Sequence, residues 1–190
     1  MLGASLLIRL NQHDPDTACR EAAHSSLSYS MQHQRDDGSW WYADTSYQKW
    51  IDSFHTGFNL QCLQYFMDLG ETPAYADAFQ KGIEFYAENF FMDDGTAKYF
   101  HDRTYPIDVH SYAQALVFFS KLGTPYATLT DRVANKFVKT FRDTKTGHFY
   151  FQQQTPDRLV KIPYMRWSQA WSLHGLTEYL KCQSQATAAQ

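Results

Sequence analysis

Apolar positions along the chain recur at helical spacing, in two kinds of stretch that alternate. Residues 53–69, 110–122 and 167–181 are nearly free of charge through their first three turns. The stretches that follow the first two carry charged stripes, Asp77, Lys81, Glu84 and Glu88 in one and Asp131, Arg132, Lys136, Lys139 and Arg142 in the other. A helix that is apolar nearly all round is buried, and one with a charged stripe lies at the surface. The pattern therefore predicts inner and outer helices joined as successive hairpins. At the start, Leu2 to Leu10 predicts the tail of an inner helix with Leu6, Leu7 and Leu10 on its apolar face. A turn from Asn11 to Asp16 follows, where Asp14 or Asp16 can cap a first outer helix over about 16–33. Ala18, Ala22, Ala23, Leu27 and Met31 mark its inward side. Gly70 with Pro73, and Gly123 with Pro125, are stop signals for the inner helices. From Gln183 to Gln190 small and polar residues predict a frayed tail.

The connections repeat as well. Asp37-Gly38-Ser39-Trp40-Trp41-Tyr42, Asp94-Gly95-Thr96-Ala97-Lys98-Tyr99-Phe100 and Thr146-Gly147-His148-Phe149-Tyr150-Phe151 are glycine turns followed by aromatics, with glycines 57 and 52 residues apart. Polar loops keep step: His55 and His110 stand 55 residues apart, and Trp167 lies 57 further on. Such a period signals a repeated supersecondary unit, here helix, glycine turn, short extended piece, polar loop, helix. The extended pieces fall at about 39–43, 97–101 and 148–152, and Gly38 and Gly95 are expected at positive φ. The reading is all-α: one repeat domain over 1–182, with an orphan inner helix at 1–11 and repeats at about 14–70, 71–123 and 124–182.

Composition narrows the classes. A chain of 190 residues can bury the core of one domain. A net charge of −3 without a run of like charge leaves no basic footprint for nucleic acid and no polybasic membrane patch. Cys19, Cys62 and Cys182 are odd in number and widely spaced, which predicts reduced thiols and a cytoplasmic setting. Met1 to Ile8 lacks a signal peptide's basic lead and cleavage site.

The polar loops carry the candidate chemistry. Asp52, His55, Asp108 and His110 offer two carboxylates and two imidazoles, suited to moving protons to and from the oxygen or carbon of a sugar. Equally, Asp52 and Asp108 fit the caps of the inner helices, and the histidines fit packed, hydrogen-bonded positions. Arg166 can grip a carboxylate such as that of a uronic acid, or tie two hairpins together. Trp40, Trp50, Tyr164 and Trp167 can stack on sugar rings, and Lys49 and Gln169 add polar contacts from the same loops. For Trp40 the competing role is a plug between helix layers. Asp52 with His55 and Asp108 with His110 match no recognised zinc or calcium spacing. No phosphate loop or nucleophile elbow is present, so neither a metal nor a cofactor is expected.

Asp37-Gly38-Ser39-Trp40, Lys49-Trp50-Ile51-Asp52-Ser53-Phe54-His55-Thr56-Gly57, Tyr105-Pro106-Ile107-Asp108-Val109-His110-Ser111 and Pro163-Tyr164-Met165-Arg166-Trp167-Ser168-Gln169-Ala170-Trp171 together resemble the six-hairpin glycosidase-like α/α toroids. The nearest match among these is to bacterial toroid proteins associated with polysaccharide synthesis, sometimes labelled δ-aminolevulinic acid dehydratases. The resemblance implies a ring of about six hairpins, of which this chain supplies about half. It also implies that Asp52, His55, Asp108, His110, Tyr164, Arg166 and Trp167 face a common cavity mouth. The expected partner is a saccharide, and a homodimer or an amino-terminal half is expected to complete the ring. Three functions follow: acid–base chemistry on an oligosaccharide or polysaccharide (hydrolysis, elimination or epimerisation), non-catalytic saccharide binding or scaffolding, or a terpenoid-type toroid. The last rests on Gln34, Gly38 and Trp40 alone and lacks an aspartate-rich motif.

Overall fold

The computed structural model describes residues 1–71 and 73–188. Helices follow one another as α1 (Leu2–Leu10), α2 (Thr17–Gln32), α3 (Ser53–Asp68), α4 (Ala76–Phe90), α5 (Val109–Leu122), α6 (Ala127–Phe141) and α7 (Trp171–Ala188). Three short strands, β1 (Ile107–Asp108), β2 (Gln152–Thr155) and β3 (Arg158–Val160), form one antiparallel sheet in sequence order. The chain divides into two compact units, residues 1–51 with 55–88, and residues 52–54 with 89–190.

In the first unit Asp16 caps α2, its carboxylate accepting from the Cys19 N–H at 2.8 Å. Ala23 and Leu27 of α2 are fully buried, as are Ile8, Leu60, Leu63, Phe66 and Tyr86. The glycine turn is a packing device. Gly38 has φ 88°, and a Cβ there would overlap the Lys81 carbonyl of α4. Gln34 clips the same turn, donating to the Gly38 carbonyl at 3.0 Å and to the Ala78 carbonyl at 2.8 Å. The Trp40 indole lies over Gly82 and donates to the Ser30 carbonyl at 3.0 Å. The residues that suggested a terpenoid turn thus serve to join one hairpin to the next. Helix α1 departs from expectation. Ala4, Ser5 and Ile8 face inward, whereas Leu2, Leu6 and Leu10 are more than half exposed. Its leucines form a second apolar face, which the helical period alone could not assign to the inside or the outside.

In the second unit every residue of α5 from Val109 to Ser120 is buried. Helix α7 lies close against it, so that a Cβ at Gly175 would sit 2.7 Å from the Ala113 carbonyl oxygen. The Gly95 turn repeats the Gly38 device: φ is 84°, and a Cβ would overlap the Arg132 carbonyl of α6. Lys136 of α6 pairs with Asp94 of the turn at 2.6 Å. Extended backbone near 97–101 is limited to single bridges, Phe91 with Ala97, and Phe100 with Asp52 and with Arg103. The true strands lie at 107–108, 152–155 and 158–160, later than expected, because Asp108 pairs with Gln152 across the sheet. Before α7 the chain makes a π-helical turn, Met165–Ala170, in which the Gln169 N–H reaches back to the Tyr164 carbonyl at 3.1 Å. The helix then runs to Ala188, past Gln183 where fraying was expected. The remaining tail positions, 189 and 190, lie outside the described residues.

Candidate functional site

Asp108 closes β1 and caps α5, and its carboxylate is 1% exposed. Three donors converge on it: the His110 N–H and the Trp167 indole N–H at 2.9 Å on Oδ1, and the Gln152 amide at 3.1 Å on Oδ2. Each lowers its pKa, yet burial outweighs them and pushes it up to about 6. None of these three donors is a cation, so nothing among them offsets the burial that raises the carboxyl. A group that gains and loses its proton near that value is suited to acid–base work.

The His110 ring lies in an aromatic frame. Phe54 stacks on it with centroids 4.8 Å apart and planes 8° apart; Trp171 lies 4.1 Å away, and Trp167 meets it edge-on at 4.6 Å. The imidazole is 2% exposed. Asp52 is buried to the same degree and bridges to Phe100, while the Ser53 N–H donates to the Tyr99 carbonyl at 2.8 Å. Asp108, His110 and Trp167 are therefore one contact cluster, with Phe54, Trp171 and Gln152 as walls. Sequence reasoning did not assign roles to those three. Phe54 and Trp171 had a readable signal, since they lie two residues after Asp52 and one helical turn after Trp167. Gln152 had none, because strand pairing brings it in.

The other candidates are placed as follows. Tyr164 is 46% exposed and meets Phe151 edge-on at 5.1 Å, and Arg166 is exposed in the π-helical turn. Gln169 clasps the Phe149 backbone, accepting from its N–H at 3.0 Å and donating to its carbonyl at 2.6 Å. In the first unit Trp50 stacks on Tyr42 at 4.5 Å, His55 meets Tyr42 edge-on at 4.7 Å, and Lys49 lies 6.0 Å from the Trp41 ring. Trp40 is 6% exposed in the core. A cavity of about 230 Å³ lined by Phe119, Ser120, Asp131, Tyr179 and Cys182 lies at the opposite end of α5 from Asp108, outside this cluster. Among the described residues, no group of three or more His, Cys, Asp or Glu side chains is placed to hold a metal ion. No helix among them is long and apolar enough to cross a membrane.

The fold has close counterparts among solved structures. A cellobiose 2-epimerase from Spirochaeta thermophila DSM 6192 superposes with a TM-score of 0.72 at 13% identity, over 95% of this chain and 51% of that one. A cellobiose 2-epimerase from Bacillus thermoamylovorans B4167 gives 0.73 at 11% identity, over 93% and 50%. A protein from Actinoplanes gives 0.53 at 20% identity, over 77% and 43%. The fold is that of an α/α toroid, with about half of the ring present. This chain spans about half the length of the two epimerases. No family model and no curated protein sequence matches it.

Proposed function

We propose that the protein is carbohydrate-active and epimerase-like, working by proton transfer on an oligosaccharide. The observation that carries this reading is the buried Asp108 carboxyl, bonded by the Trp167 indole N–H beside the aromatic frame of His110 and raised to about 6 by desolvation. The toroid fold shared with two cellobiose 2-epimerases supports it. Inversion beside a sugar carbonyl requires a proton to leave carbon and return to the opposite face, which needs groups that exchange protons near pH 7. In this reading Asp108 supplies that capacity in the second unit, and His110 and Asp52 are its further acid–base residues. Tyr164, Arg166 and Trp167 hold the sugar, Trp167 by its ring face. His55, Lys49 and Trp50 offer saccharide contacts in the first unit, while Trp40 and Gln169 act by keeping their hairpins in place. A uronic acid fits the exposed Arg166, and polysaccharide metabolism is the matching context.

Asp108→Asn is the test. Asparagine still caps a helix well and still accepts from His110 and Trp167, but it cannot exchange a proton. Turnover of cello-oligosaccharides and uronic-acid oligosaccharides should fall about 10²-fold or more with the fold intact by circular dichroism. Products in deuterated water separate the reactions: epimerisation places deuterium on carbon, hydrolysis adds reducing ends, and elimination leaves an unsaturated sugar. The near-complete burial of Asp52, Asp108 and His110 favours a second reading, saccharide binding without turnover. Sugar binding that Asp108→Asn leaves unchanged, with no product from the wild type, would select it.

A further inference from the structure

At the end of α5 away from Asp108, helices α5, α6 and α7 leave a cavity of about 230 Å³ between them, to which Phe119, Ala127 and Tyr179 give apolar walls. A cavity of about 150 Å³ admits benzene, so this one has room for a ring bearing a short chain. Most polar groups of the wall are engaged within the protein. The Thr130 hydroxyl donates to the Tyr126 carbonyl at 2.8 Å, and the Cys182 thiol to the Ser120 carbonyl at 3.0 Å. The Tyr179 phenol and the Gln183 amide both donate to Asp131 Oδ1, each at 2.8 Å. Two groups are left over. Ser120 is 5% exposed, and its hydroxyl has no hydrogen-bond partner among the described residues. Asp131 is half-buried; its Oδ2 accepts no hydrogen bond there and the carboxylate has no ion-pair partner. The cations near it in sequence act elsewhere. Arg132 donates to the Asp93 carbonyl, Lys136 pairs with Asp94, and Lys121 and Lys181 act on Glu178. A half-buried carboxylate is favoured by a cation beside it, and here the protein supplies only two neutral donors.

We propose that this cavity is a second binding site, for a small organic ammonium: an aromatic or branched aliphatic body, on the order of ten non-hydrogen atoms, carrying one protonated amine. The body displaces water from Phe119, Ala127 and Tyr179. Tyr179 and Gln183 fix the carboxylate through Oδ1 and leave Oδ2 to accept from the ammonium, a charge-assisted bond. An ammonium has three donors and no acceptor, and the Ser120 hydroxyl is the available second acceptor. An anion is repelled by Asp131. A neutral saccharide finds too few open polar groups in these walls to replace its hydration. The site lies apart from the Asp108 cluster, and the inference does not rest on the saccharide reading.

The probe is 2-phenylethylamine, with 2-phenylethanol and phenylacetate as its neutral and anionic matches. By calorimetry the purified chain should bind the amine saturably, the alcohol about tenfold more weakly, and phenylacetate not at all. Asp131→Asn still accepts from Tyr179 and Gln183, and should bind the amine no better than the alcohol. Ala127→Leu fills the cavity from the exposed start of α6, and should bind neither. Both variants should keep the helical circular dichroism of the wild type. Cys182 reports on the unaltered protein: saturating amine should slow its alkylation and leave that of half-buried Cys19 unchanged. A wild type that binds no amine, or binds amine and alcohol equally, overturns the proposal. So does a Cys182 that the amine fails to protect, and so does either variant binding the amine as the wild type does. None of these readouts involves turnover, so their failure leaves the Asp108 reading standing.

Discussion

Helices α5 and α7 hold equivalent places in successive hairpins and read alike in sequence, apolar nearly all round. In the fold they differ. From Val109 to Ser120 α5 is buried on all sides, whereas α7 buries Ser172 and Gly175 on one side and leaves Leu173 and Leu180 in solvent. The glycine turns differ in the same sense, Gly95 pressed onto the next helix and Gly147 open. The contrast teaches that in a hairpin series burial belongs to the junction and not to the helix. A repeat is finished only by the repeat that follows it.

Truncation of a leucine on each helix gives the widest contrast. Leu116→Ala, at a fully buried site in α5, should cost about 2–5 kcal/mol. Leu173→Ala should stay within about 0.5 kcal/mol in denaturant titrations. Equal losses would break the comparison.

Next come the turns. Gly95→Ala combines a left-handed backbone penalty with overlap on the Arg132 carbonyl, and should cost about 2–4 kcal/mol. Gly147→Ala carries the backbone penalty alone, about 1 kcal/mol. A thermal-unfolding series over both variants checks the ordering, and a Gly95→Ala as mild as Gly147→Ala would mean that the close approach relaxes freely.

The Asp108 end of α5 has its own signature. Its carboxyl is raised from 3.8 to about 6, so between those values the folded chain holds more of this proton than the unfolded chain does. Stability from this group is then fullest below about pH 4 and falls as pH rises towards 6, by about 2–3 kcal/mol. Asp94 and Asp143, both lowered, act in the opposite direction at more acid pH. Subtracting the stability curve of Asp108→Asn isolates the Asp108 part, and a flat difference between pH 4 and 7 would remove it.

At the other end of the hairpin, Tyr179→Phe deletes the 2.8 Å bond from α7 to Asp131 of α6. The expected loss is smallest, about 1 kcal/mol, measured by denaturant midpoint. The tyrosine pKa, raised to about 12 chiefly by burial and then by Asp131, should show as a late phenolate transition in the ultraviolet.

Much of the fold was legible because its signals are local. Helical period, glycine stops and the spacing of Gly38 and Gly95 set the hairpin series, and both glycines take the positive φ that their turns demand. Capping was legible for the same reason, since Asp16 and Asp108 bond to N–H groups two or three residues on. What depended on distant partners was not. Whether Leu6 or Ile8 of α1 faces inward is decided by what lies beside the helix, and both choices satisfy the period. The strands at 152–155 and 158–160 arise from pairing with each other and with β1, not from the aromatic run before them.

The sequence by itself determined the alternation of inner and outer helices, the repeat and the placement of Asp108 at a helix start. Each follows from residues a few positions apart along one backbone. Only the tertiary structure decided that Asp108 would be buried with Trp167 and Gln152, 59 and 44 residues away, and so have its carboxyl pushed up to about 6. Desolvation is set by everything that excludes water from a group, and that is fixed when the chain has closed around it.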